Sequence, residues 1–158
     1  MTEQIHKSLT LTRLLNAPRE LVFDAWTEAE QLAEWWGPDN FTNPICQIEA
    51  KEGGAILIHM CDPSGHIYPL TGTIIEFLRP EKLVFTSEAH WNETDGAMME
   101  ILNTVTFENE NGKTKLTVMA SDRWAKPEAE LALAGMEAGW SSSLDKLAAF
   151  VKGVPNEK

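Results

Sequence analysis

Few side chains in this sequence are spaced for bond-making chemistry. The chain holds four histidines, His6, His59, His66 and His90, and none stands in a His-x-His or His-Glu-x-x-His spacing. His59 and His66 flank a turn and can approach each other, but that pair alone supplies fewer ligands than a metal site requires. Ser143-Leu144-Asp145-Lys146 has the Ser-x-x-Lys form of some acyl-transfer enzymes. It falls inside an expected helix, and no Ser-Asp-Asn or Lys-Thr-Gly partner accompanies it. There is no Gly-x-Ser-x-Gly elbow and no phosphate-cradling glycine loop; Gly53-Gly54 reads as a hairpin turn. Cys46 and Cys61 make no disulfide framework. On a regular hairpin their parity sets them on opposite faces, so two free thiols are expected. No catalytic residue, metal or cofactor is therefore expected, and the balance tilts from catalysis towards binding.

What the chain does hold is large apolar side chains. It has six Trp and six Phe against one Tyr. Such rings either pack a core or line a pocket. Gly135 and Gly139 lie four apart in a helical stretch, where each costs about 1 kcal/mol relative to Ala. Two explanations fit: room for a ligand, or close approach of a neighbouring sheet. Asn103 falls among apolar residues of one strand face, where its amide must find a partner, a water or a ligand.

The elements that position these residues follow from periodicity. Ser8 to Leu15 alternates as a strand. Pro18 opens a short helix over Arg19 to Trp26. Thr27 with Glu30 has capping-box spacing for a second helix, which Gly37-Pro38 stops. From Pro44 to Ser121 the pattern is β, with turns at Glu52-Gly53-Gly54, Asp62-Pro63-Ser64-Gly65, Arg79-Pro80-Glu81 and Asn111-Gly112. Residues 90–97 form a polar loop. One long helix is expected from Pro127 to Val151, with Leu133, Met136, Trp140, Leu144, Leu147 and Val151 as its apolar stripe. Cys46, Ile48, Ile56, Ile58 and Met60 share one sheet face by parity, as do Leu83 with Phe85 and Ile101 with Val105. The facing of His66 to Leu78 depends on the turn length and stays open. The whole is an α+β arrangement of one domain over 1–158, an antiparallel sheet covered on one face by the last helix.

Charge narrows the partners. A net charge of −11 excludes a nucleic-acid face and disfavours anionic membrane surfaces. No apolar stretch approaches membrane-spanning length and no signal-peptide pattern opens the chain, so a cytoplasmic location without membrane insertion is expected.

Several short motifs, in order, resemble one family. They are Arg13, Ala17-Pro18, Val22-Phe23-Asp24-Ala25-Trp26 and above all Trp35-Trp36-Gly37-Pro38. Gly53-Gly54, Gly72 with Ile74 and Glu76, and Pro80-Glu81-Lys82-Leu83-Val84-Phe85-Thr86 follow. Thr104-Val105-Thr106-Phe107, Thr114-Lys115-Leu116-Thr117 and Gly139-Trp140-x-x-x-Leu144-x-x-Leu147 complete the series. The chain resembles the Aha-type family, homologues of the activator of the ninety-kilodalton heat-shock chaperone ATPase, within the START-like or SRPBCC superfamily. The resemblance implies a helix-grip fold, a curved antiparallel sheet wrapped around a long C-terminal helix with two short helices after the first strand. It also implies a hydrophobic cavity between sheet and helix. It implies a stand-alone domain, without the extra N-terminal domain of the eukaryotic activator. One departure concerns the cavity: where the family usually has an aromatic two residues after the Gly-Gly pair, this chain has Ile56, and either a wider space there or a different ligand is expected.

Parity and resemblance together give an expected ligand-binding lining of Trp36, Phe41, Ile58, Met60, Phe85, Trp91, Asn103, Met136, Gly139 and Trp140. The expected ligand is a small apolar molecule. A heat-shock chaperone is the alternative partner, and a cyclase- or hydrolase-type enzyme using the same cavity is a further one. Methionines at 60, 98, 99, 119 and 136 offer adaptable side chains, some of which should face inward.

Overall fold

The computed structural model describes residues 8–90, 92, 94 and 96–153. Strand β1 (Ser8–Leu15) leads into helices α1 (Arg19–Thr27) and α2 (Ala29–Trp35). A meander follows: β2 (Thr42–Ile48), β3 (Ala55–Cys61), β4 (Ile67–Leu78), β5 (Lys82–His90), β6 (Ala97–Glu110) and β7 (Lys113–Ala125). A 3₁₀ turn (Pro127–Ala129), α3 (Glu130–Ala134) and α4 (Met136–Gly153) end it. The seven strands form one antiparallel sheet in the order β1-β7-β6-β5-β4-β3-β2. This is the helix-grip arrangement, α+β, with helices on one face only.

The turns have the chemistry their residues dictate. Asn111 and Gly112 both take positive φ (55° and 84°), the geometry of a two-residue hairpin whose twist matches its strands. Asp62 closes the β3–β4 turn by accepting from the Ser64 and His66 amides. Arg79 reaches from the β4–β5 turn to Asp24 with two bonds of 2.9 and 3.0 Å, which fastens α1 to the sheet.

Two sequence expectations change. Thr27 does not cap α2. It ends α1, buried, with its hydroxyl donating back to the Phe23 carbonyl, so Glu28 takes the cap position without a side-chain bond. The last helix is also not continuous from Pro127. It breaks at Gly135, whose backbone (φ −90°, ψ 1°) leaves the helical region and separates the five residues of α3 from the eighteen of α4.

The open question of β4 is settled by a bulge. Ile74 pairs with Phe85, but Glu76 pairs with Val84, so one extra residue sits on β4 at Ile75. Before it Leu70 and Ile74 face the core; after it Phe77 does. Parity therefore inverts within one strand, and no uniform alternation could have fixed it.

The core lies between α1, α2, α4 and the sheet. Phe23 meets Phe107 at 5.0 Å and Phe77 at 5.2 Å, edge or tilted. Trp26 and Trp35, both fully buried, meet at 4.7 Å, and the Trp35 indole N–H donates to the Ala25 carbonyl at 2.9 Å. The tryptophans thus divide: these two pack the core, while Trp36 and Trp140 turn to the space above it.

Candidate functional site

That space is a cavity of about 440 Å³ between the sheet and the last two helices. Two glycines of the fold differ in what surrounds them. A methyl placed on Gly72 would collide with the Thr86 carbonyl oxygen, so there the strands demand glycine. A methyl placed on Gly139 would have no heavy atom within 4 Å beyond its two chain neighbours and its own helix backbone. Glycine is therefore not kept at 139 by close packing on the sheet, and α4 presents a bare stretch to open space. At Gly135 the nearest atoms, the Leu131 and Ala132 carbonyl oxygens, are 3.6 and 3.9 Å away, so no sheet strand presses on the helix there either.

The aromatic wall comes from Trp36 and Trp140, with Trp26 of the core behind them. Trp140 stacks on Trp26 (5.8 Å, 26°) and receives the edge of Trp36 at 5.4 Å. At the loop side Phe41 packs on Tyr68 at 5.9 Å, and His66 on the same ring at 4.3 Å. The Tyr68 hydroxyl donates to Asp62 at 2.9 Å. Asp62 is held down to about 2, mainly by the Ser64 hydroxyl, with the His66 amide and Tyr68 adding. The same bond to a carboxylate raises Tyr68. A charged acceptor thus fixes the aromatic ring at the cavity edge.

The loop after α2 is pinned to α4. Gly37, at φ 95°, donates its amide to the Ser143 hydroxyl and accepts from the same group at its carbonyl, at 3.1 and 3.0 Å. Lys146, one turn on, donates to the Pro38 carbonyl at 3.1 Å, and burial lowers its pKa. The Ser-x-x-Lys spacing is thus a clamp: both side chains spend their polar atoms on one loop. Asn43 adds bonds to the Ala33 and Trp36 carbonyls.

Of the expected lining, Trp36, Phe41, Met60, Asn103, Met136, Gly139 and Trp140 border the cavity. Ile58 and Phe85 do not. They lie one layer deeper, on a void of about 10 Å³ beneath Trp26 and Trp36. Their parity is inward as expected, but inward at that level of the sheet means core. Ile56 borders the same small void, so the aliphatic that replaces the family's aromatic opens no wider space. Trp91 lies outside the described residues. Met98 and Met99 join the lining, whereas Met119 is about half exposed and stands apart from it. Sequence reasoning missed Tyr68 and Leu70, because β4 facing was open, and Leu131, because the break at Gly135 swings α3 over the rim. It also passed over Ser87, whose parity with Leu83 and Phe85 was available but whose polar type hid it.

Asn103 is a polar group in the cavity lining and is fully buried. Its Nδ2 donates to the Phe85 carbonyl at 3.3 Å and to the Ser87 hydroxyl at 3.0 Å. A carbonyl only accepts, which fixes the orientation of the amide. Its Oδ1 has no hydrogen-bond partner. Among the described residues no group of three or more His, Cys, Asp or Glu could hold a metal ion. Cys46 and Cys61 are free, and burial pushes the Cys46 thiol up to about 11. Among the described residues no helix is long and apolar enough to cross a membrane.

Residues 16–152 match the family described as Activator of Hsp90 ATPase homolog 1-like protein, AHSA1. The chain belongs to the AHSA1 family. Solved structures agree with the fold. A protein of Chromobacterium violaceum is 25% identical over 95% of this chain and 99% of its own, with a TM-score of 0.77. The AHSA1 protein of Silicibacter pomeroyi is 26% identical over 92% and 97%, with a TM-score of 0.73. A solution structure from Arthrobacter aurescens, at 21% identity over 94% and 88%, shares the fold with a TM-score of 0.81. No curated protein matches the sequence. Within the AHSA1 family the Trp35-Trp36-Gly37-Pro38 motif acquires a physical meaning in this chain: one Trp for the core, one for the cavity, and a left-handed glycine bonded to α4.

Proposed function

We propose that this AHSA1-family protein binds a small, largely apolar molecule in the space between its sheet and α3–α4. The observation that carries the reading is the cavity of about 440 Å³, walled by Trp36, Phe41, Met99, Met136 and Trp140. Ligand sites are commonly about 300–1,000 Å³ and apolar with a few polar groups. Binding is favoured over catalysis by the lining itself. Among its described residues only Tyr68 and His90 carry ionisable side chains, and Tyr68 already donates to Asp62. That leaves no pair to act as acid and base. The test is titration of the purified protein with an apolar fluorescent dye, alongside native mass spectrometry for a co-purified molecule. Saturable binding near one dye per chain is expected; no binding of dye and no retained molecule refutes the reading.

A second reading, contact with an Hsp90-type chaperone, rests on the family's description. It is tested separately, by adding the protein to such a chaperone and measuring its ATPase rate. A rise that survives filling of the cavity with dye would favour this reading over the first.

A further inference from the structure

The floor of the cavity constrains what it accepts. A buried amide oxygen without a partner has lost its water and gained nothing in exchange, and native proteins seldom leave one so. Asn103 is fully buried on β6 with its Nδ2 turned to β5, which directs Oδ1 away from that strand. Its cross-strand partner on the other side is Ala120, and its neighbours along the face are Ile101 and Val105; none has a side-chain donor. Ser87 sits beside it, accepting from Nδ2, so its own hydroxyl hydrogen remains to donate. The two residues thus add one acceptor and one donor to a largely apolar lining.

We propose that the ligand is an apolar skeleton carrying one hydroxyl, an alcohol or a phenol, seated with that hydroxyl on the Asn103–Ser87 pair. A hydroxyl is the smallest group that both donates and accepts. Its hydrogen goes to Asn103 Oδ1, and its oxygen receives the Ser87 hydrogen. A carboxylate does not fit, because it only accepts and would face Oδ1 as a second acceptor. An ammonium does not fit either, because no carboxylate borders the cavity among its described lining residues to balance it. The proposal rests on the binding function argued above and adds the chemical class of the ligand.

The test uses two compounds of near-equal shape, 1-naphthol and 1-methylnaphthalene, measured by displacement of a bound apolar dye. Each affinity is corrected for the compound's own transfer from water to octanol. Wild type should prefer the naphthol by about tenfold, one hydrogen-bonded hydroxyl being worth that order in a buried site. In N103L the preference should vanish while 1-methylnaphthalene binds at least as well as before. In S87A, which keeps the Asn103 bond to the Phe85 carbonyl, the preference should shrink by a smaller factor. Equal corrected affinities in wild type overturn the proposal and leave the binding reading intact. A preference that survives both substitutions also overturns it. Failure of wild type to bind either compound or the dye removes the binding reading itself.

Discussion

Replacement of Gly139 separates a cavity from a packed core. The helix interior favours Ala over Gly by about 1 kcal/mol, because glycine loses more backbone freedom on folding. Beyond the two chain neighbours and the local helix backbone, no heavy atom lies within 4 Å of a methyl at this position. G139A should therefore stabilise the protein by about 1 kcal/mol, a rise in Tm of roughly 2–4 °C for a chain of this size. G139L extends four carbons into the cavity of about 440 Å³. Its stability should stay close to wild type, while affinity for an apolar dye falls several-fold because the side chain occupies the site. Had α4 lain against the sheet at Gly139, the leucine would overpack it at about 1–3 kcal/mol or more. Gly72→Ala supplies the contrast, since its methyl meets the Thr86 backbone oxygen and the strand cannot yield cheaply. Thermal melts of the three variants and a dye titration of G139L are the assays. A G139A variant less stable than wild type, or a G139L variant strongly destabilised with dye affinity unchanged, refutes the reasoning.

Trp140→Ala should cost about 3 kcal/mol, the low end for an aromatic truncation, since one side of the ring borders open space; an unchanged melt contradicts this. Ser143→Ala strips the partner from both the Gly37 amide and carbonyl, and should cost about 1–3 kcal/mol with faster hydrogen exchange at Gly37. Unaltered exchange at that amide would show that the clamp does not hold the loop. Asp62 has its pKa lowered by folding, so the carboxylate form stabilises the turn. Its contribution is complete above the ordinary value of 3.8 and is lost as pH falls through about 2. Carboxyl NMR should find its midpoint near 2; a midpoint at the ordinary value would mean that the Ser64 and Tyr68 bonds do not persist in solution.

The fold was legible because its signals are local and redundant. Asn111-Gly112, Asp62 to Gly65 and Gly53-Gly54 each specify a turn by backbone chemistry that no other residues supply as cheaply. Between them the alternation of Leu83, Phe85, Ile101, Val105, Leu116 and Val118 states which face is buried. What escaped were the places where two local rules compete. Thr27 has the spacing of a cap, but burial in α1 gave its hydroxyl a nearer acceptor. Ile75 interrupts an even alternation by one residue, and a bulge leaves no mark in composition.

The site was legible in kind but not in depth. Parity says which face a residue takes; it does not say how far along the sheet the helix lifts away. Ile58 and Phe85 share the inward face with Met60 and Ser87, yet the first pair touches core and the second touches the cavity. The deciding quantity is the distance from each strand position to α3 and α4, which depends on the break at Gly135 and on the Ser143–Gly37 clamp. Both are long-range consequences of residues that look ordinary in sequence. Glycine illustrates the point most sharply. At 72 and 139 the same residue type stands in a strand and a helix, each an unfavourable place for it. In one the neighbouring backbone leaves no room for a side chain; in the other there is room that the chain leaves empty. Only the second kind of glycine supports the binding reading proposed above, because the helix forgoes about 1 kcal/mol there without any packing requirement on the sheet.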